Sequence, residues 1–140
     1  MVKKIQTTIL FRLLLLSTLS FSQKENLYFE TFSTEDGLPH TVVIDVVQDS
    51  KGYLWFATAG GLTKYDGYNF DYKHGNIDFI FIDKDDRIWY QKRNEPVEIF
   101  DLESETTTKT NLEDISIIFQ SKSSGMFYIS KDGELGDYRR

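Results

Sequence analysis

From residue 42 onward, short apolar runs alternate with polar turns too quickly for a helical face. The first four runs cover residues 42–48, 53–58, 62–65 and 69–73, and each predicts a strand. Asp49-Ser50-Lys51-Gly52, Ala59-Gly60-Gly61 and Asp66-Gly67 separate them, with glycine available wherever the turn needs positive φ. Connections this short leave no room for crossover helices, so the strands are antiparallel neighbours in a meander. The same grouping follows twice more. Each group opens on a nearly continuous apolar run, "VVIDVV", "IDFIFI" and "ISIIF", which suits a strand covered on both faces. The second group closes on "TTTKT", polar and β-branched, as an outer strand should be.

The groups are copies of one repeat. "QDSKGYLWFAT" (48–58) aligns with "IDKDDRIWYQK" (82–92) at an offset of 34, laying Asp49 on Asp83, Leu54 on Ile88 and Trp55 on Trp89. Tyr65-Asp66 falls on Phe100-Asp101 at an offset of 35, so one residue is inserted between. At an offset of 73, Gly125 falls on Gly52, Tyr128 on Trp55, Leu135 on Leu62 and Tyr138 on Tyr65. A four-stranded meander repeated at this spacing is a β-propeller blade. A β-sandwich also alternates, but it gives no reason for copies to keep register. The expected fold is all-β, a partial propeller of about three four-stranded antiparallel blades (41–73, 76–110 and 114–140), the third incomplete. The terminal blades lack a neighbour on one face, so the isolated chain is expected to be marginal or to self-associate through exposed blade faces.

The first 22 residues are of another kind. Lys3 and Lys4 precede an apolar run with "LLLL" at its centre, and Ser20-Phe21-Ser22 places small residues at a cleavage site before Gln23. The reading is a signal peptide (1–22), then a lead-in strand and loop (23–40), with the protein periplasmic after cleavage. Loss of Lys3, Lys4 and Arg12 takes the net charge from −6 to −9. An acidic chain without a basic patch is unsuited to nucleic acid. The absence of cysteine excludes disulfides, thiolate metal sites, cysteine nucleophiles and a lipoprotein anchor. His40 and His74 have no metal-motif spacing, and no cofactor is expected.

The stretch 31–70 resembles the two-component regulator propeller family, the periplasmic sensor region of Bacteroidetes-type hybrid sensors and histidine kinases. "DGLPH" (36–40), "QDSKGYLWFAT", Gly61-Leu62 and "YDG" (65–67) carry the resemblance. The second copy departs from it, with Asp86 for the turn glycine and Pro96-Val97 for "GL". The resemblance implies a non-catalytic ligand-sensing segment, with an oligosaccharide or other small periplasmic molecule as ligand. Its partners would be further blades and kinase modules encoded downstream. It also implies that the lead-in closes the ring on a last blade. A truncated fragment without independent activity is the alternative, and a glycan-active enzyme propeller the third.

Trp55 and Trp89 suit sugar stacking, but their recurrence at one repeat position predicts inter-blade core. Asp49, Asp83, Asp85 and Asp86 lack the spacing of a calcium loop and are expected to cap turns. Glu95 and Glu98 are a conceivable hydrolase pair that nothing else in the sequence singles out. In a propeller the second-to-third and fourth-to-first loops share one end, where ligands usually bind. The candidates there are Thr58, Gly60, Lys73, His74, Asn76, Lys92, Arg93, Asn94 and Glu95.

Overall fold

The structure is a computed structural model that describes residues 28–122 and 125–138. The signal peptide and residues 23–27 lie outside the described residues. Two units divide the chain at Glu30, and the propeller elements all belong to the second, Thr31–Arg140.

Among the described residues, eleven strands form three antiparallel sheets. Blade 1 is β1 (Val43–Gln48), β2 (Leu54–Thr58), β3 (Gly61–Tyr65) and β4 (Phe70–His74). Blade 2 is β5 (Ile77–Ile82), β6 (Arg87–Lys92), β7 (Val97–Asp101) and β8 (Thr106–Lys109). Blade 3 is β9 (Ile115–Gln120), β10 (Met126–Ser130) and β11 (Leu135–Tyr138). Every sheet is ordered as the chain runs, so all connections within a sheet are hairpins. The first two strands of each blade carry a bulge. Bulges of this kind increase local twist.

Blades pack front to back. Trp55, Ala57 and Leu62 of blade 1 meet Ile77, Ile80, Ile88, Tyr90 and Phe100 of blade 2 in one core. Trp89, Val97 and Ile99 of blade 2 meet Ile115, Ile118 and Met126 of blade 3 in a second. Neighbouring residues on β6 therefore serve different cores, Ile88 and Tyr90 facing back and Trp89 facing forward, as the two-residue period of a strand requires. Both tryptophans are 2% exposed, which places them in the inter-blade core.

Three expectations are corrected. Only the middle blade covers its first strand on both faces: Ile80 packs backward and Phe79 and Phe81 forward. On β1, Val43, Ile44 and Val46 are exposed, and on β9, Ile117 and Phe119 are exposed, because each of those blades has one neighbour among the described residues. Second, the described part of the lead-in, residues 28–40, holds no strand, and Tyr28 and Phe29 are almost fully exposed. A strand needs a ladder partner for its backbone groups, and no described edge supplies one. Phe32 instead packs its ring on Tyr65 and Phe70.

The third correction is a slip of one residue in blade 3. Met126 pairs with Tyr138 as Leu54 pairs with Tyr65, so Phe127, not Tyr128, stands where Trp55 does. Ser121 N–H donates to the Gly125 carbonyl at 2.9 Å, as Asp49 N–H donates to that of Tyr53 at 3.0 Å. Gly125 therefore stands at the Tyr53 position rather than that of Gly52. A one-residue shift changes the face of a strand residue: Tyr128 points back to blade 2, beside Trp89 and Met126, while Phe127 stacks on Phe119 on the uncovered side. Leu135 and Tyr138 do keep the positions of Leu62 and Tyr65, because the β10–β11 turn is one residue longer than the β2–β3 turn.

Candidate functional site

At one end of the blades the first turn carries a repeated carboxylate clasp. Asp49 Oδ1 accepts from the N–H groups of Lys51 (3.0 Å) and Tyr53 (2.9 Å), and Oδ2 accepts from Trp55 Nε1 (2.9 Å). Asp83 accepts from Asp85 N (2.9 Å), Arg87 N (3.0 Å) and Trp89 Nε1 (2.9 Å) in the same way. In blade 2 Arg87 Nε adds a bond at 2.8 Å to Asp83 Oδ2. Burial pushes the Asp83 carboxyl up, but the indole N–H and the Arg87 donors outweigh it and hold it below its ordinary range. The clasp orients each tryptophan into its core, which makes these carboxylates structural. Among the described residues no group of three or more acids and histidines is placed to hold a metal ion.

The opposite end gathers the β2–β3 and β6–β7 turns and the two blade-to-blade connections. Thr58 is fully buried, and its hydroxyl accepts from Gly60 N (3.1 Å) and Gly61 N (2.9 Å) while donating to the Gly61 carbonyl. A Cβ at Gly60 would stand 2.9 Å from the Pro39 carbonyl oxygen. Thr58 and Gly60 are thus occupied with building their turn against residues 39–40. Asn76, at φ 42, receives the Arg93 N–H on its carbonyl at 3.2 Å, so these two candidates meet. The Arg93 guanidinium pairs with Asp78 at 3.2 Å. His74 contributes its backbone to β4, paired with Leu62. Lys73 pairs with Asp71 at 2.9 Å and lines a different cleft, of about 140 Å³, with Tyr53, Trp55 and Lys64. The structure therefore does not bring Lys73 together with Lys92–Glu95.

Lys92 turns into the sheet. Its Nζ lies 3.1 Å from Glu98 Oε2, and Lys109 Nζ lies 3.5 Å from Oε1. The Tyr90 hydroxyl donates to the same carboxylate. Burial pushes Glu98 up, but Tyr90 and Lys92 outweigh it and hold it below the usual carboxylate range. Tyr90 is pushed well above an ordinary phenol, first by burial and then by the Glu98 charge. Glu98 is thus locked among three donors, and the arrangement stabilises the sheet.

Asn94 and Glu95 line a cleft of about 240 Å³ with Gln91, Glu113 and Asp114, between the β6–β7 turn and the connection into blade 3. Sequence reasoning singled out Asn94 and Glu95 and missed the other three. The signal was present in Gln91, which occupies the repeat position of Ala57. A polar side chain in an apolar register position was visible at the offset of 34.

Three comparisons bear on this architecture. Residues 37–60 match the model of the family described as Two component regulator propeller. A 69-residue stretch, 47% of the chain, is 41% identical to Histidine kinase P4 of Formosa agariphila, of whose length it covers 5%. The fold is similar to the crystal structure of the extracellular domain of a hybrid two component system, BT3049, from B. thetaiotaomicron. There the TM-score is 0.64 and the identity 21%, over 79% of this chain and 20% of that one. The chain thus spans a small part of the proteins it matches.

Proposed function

We propose that this chain, a member of the two component regulator propeller family through residues 37–60, is a ligand-sensing, non-catalytic propeller segment of a two component sensor. The observation that carries the reading is the division of labour between the two ends of the blades. At the clasp end the repeated carboxylates Asp49 and Asp83 are bonded within their own turns, and the clefts beside them, of about 140 and 280 Å³, are lined in part by these same clasp turns. The other end opens a polar cleft where the repeat is broken by Gln91. A rigid scaffold that varies its loops at one end is the usual layout of a binding module.

The segment works outside the cytoplasm, exported by residues 1–22 and cleaved before Gln23. No described helix is long and apolar enough to cross a membrane. Mass spectrometry of the exported protein tests the cut, and a chain retaining Met1–Ser22 overturns it. Its partners are the further blades and the kinase modules of the whole sensor.

Amide NMR on the full 140-residue chain tests the binding role. Addition of neutral, amino- and uronic oligosaccharides is expected to shift resonances at residues 91–95 and 112–114. Shifts confined to the clasp end, or none with any ligand, overturn the reading.

A further inference from the structure

We infer that the cleft between the β6–β7 turn and the blade 2–blade 3 connection takes a small organic cation, a ligand whose ammonium group is held by Gln91 and the acids around it. The inference rests on the reading of this end as the ligand-binding end and names the chemistry it selects.

Gln91 is the first observation. It is 3% exposed, on β6, facing blade 3 beside Trp89. Blade 1 places Ala57 at this register position and blade 3 places Ile129. An apolar side chain therefore suits the site structurally, and glutamine is a departure that packing does not require. Its Nε2 donates to the Glu95 carbonyl at 2.8 Å, which fixes the orientation of the amide. Oε1 is left as a buried acceptor with no donor. Buried acceptors are nearly always satisfied, and this one belongs to a residue that lines the cleft.

The second observation is the sign of the charge. Glu95, Glu113 and Asp114 line the cleft with Gln91 and Asn94, and none of these five described lining residues is basic. The nearby cations are engaged elsewhere: Lys92 on Glu98 at 3.1 Å, against 3.9 Å from Glu95, and Arg93 on Asp78. Lys131 approaches Asp114 only at 3.7 Å, and both are exposed. An ammonium supplies three N–H donors for the orphan acceptor and nearby oxygens, and a positive charge suited to a cleft lined by three carboxylates. A uronate or sulfated ligand would meet repulsion and find only the Asn94 and Gln91 amides to donate from the described side chains. The acids do not converge as metal ligands do, which separates this cleft from a calcium site.

The test is a titration of the full chain by amide and side-chain NH₂ NMR, with glucosamine, N-acetylglucosamine, glucuronate and calcium chloride as probes. Glucosamine is expected to shift the Gln91 side-chain NH₂ and the amides of residues 94–95 and 113–114. Its affinity should exceed that of N-acetylglucosamine tenfold or more and weaken as salt is raised. Gln91→Leu, which restores the apolar register residue, should keep the melting temperature and abolish these shifts; Glu113→Gln should weaken binding several-fold. Shifts at this cleft with N-acetylglucosamine or glucuronate as strong as with glucosamine overturn the cation preference and leave the ligand-binding end standing. Calcium shifting the same residues without glucosamine doing so overturns it in favour of a metal. No shift with any probe overturns the preference together with the site.

Discussion

Ser50 and Asp86 hold blade 1 to blade 2 across the clasp end. Ser50 N–H donates to Asp86 Oδ1 at 3.0 Å, and its hydroxyl donates to Oδ2. Asp86 sits at φ 60, in the position where blade 1 uses Gly52 at φ 88. What reads in the sequence as a lost turn glycine is therefore a residue exchanged for an inter-blade bond, at the cost of a left-handed backbone that aspartate tolerates better than most. The next interface repeats the pattern with another acceptor, since Lys84 N–H donates to Gln120 Oε1 at 2.8 Å.

A double-mutant cycle of Ser50→Ala and Asp86→Asn tests this staple. The pair is solvent-accessible, so the expected coupling is about 0.5–1 kcal/mol, read from denaturant unfolding. Asp86→Gly should cost less than Asp86→Ala, because glycine relieves the backbone while losing the same bond. Zero coupling, or Ala and Gly costing alike, argues that the contact contributes nothing.

The two clasps differ in redundancy. Asp83 Oδ2 has Arg87 as a second donor, whereas Asp49 Oδ2 relies on Trp55 Nε1. Trp→Phe removes similar volume from two equally buried sites, but only at Trp55 does it strand a buried carboxylate oxygen. Trp55→Phe is expected to cost about 1 kcal/mol more than Trp89→Phe. Equal costs, or the reverse order, would show that the indole N–H is not what the clasp needs.

Asp83 also sets an acid limit. Its folded pKa lies below its unfolded one, so its contribution is present above the unfolded carboxylate value and lost as pH falls through the folded value. Asp83→Asn should cost about 2–3 kcal/mol at pH 7 and progressively less as the solution is acidified. Urea midpoints of both proteins across that range check it. A deficit that stays constant with pH would remove the ionised carboxylate from the explanation.

The repeat, the strands and the core tryptophans were legible because each is written in local chemistry: period-two apolarity, turn glycines, and one aromatic at one register position. What was not legible depended on neighbours. "VVIDVV" and "IDFIFI" look alike in sequence, yet Val46 is exposed and Ile80 buried, because among the described residues only blade 2 has a blade on both sides. At the candidate site, polarity pointed to Asn94 and Glu95, and turn position pointed to Thr58, whose hydroxyl is spent inside its own turn. Gln91, Glu113 and Asp114 meet only across two blades. No single stretch of sequence carries that meeting.

The register of blade 3 gives the last prediction, because sequence and structure assign opposite roles to adjacent rings. The constant offset of 73 makes Tyr128 the counterpart of the core tryptophans and leaves Phe127 on the other face. The pairing of Met126 with Tyr138 makes Phe127 that counterpart, on a side no described blade covers, and turns Tyr128 toward Trp89. Gly136 supports the second arrangement: it pairs with Tyr128, and a Cβ there would overlap the tyrosine ring. Tyr128→Ala should then cost about 2–4 kcal/mol, and Phe127→Ala about 1 kcal/mol, since Phe127 loses only its stack on Phe119. Gly136→Ala should cost about 1–3 kcal/mol by forcing the ring aside, and little when combined with Tyr128→Ala. Calorimetric unfolding of the four variants decides between the registers. A larger loss at Phe127 than at Tyr128, with Gly136→Ala neutral, would return the blade to the register that the offset of 73 implies.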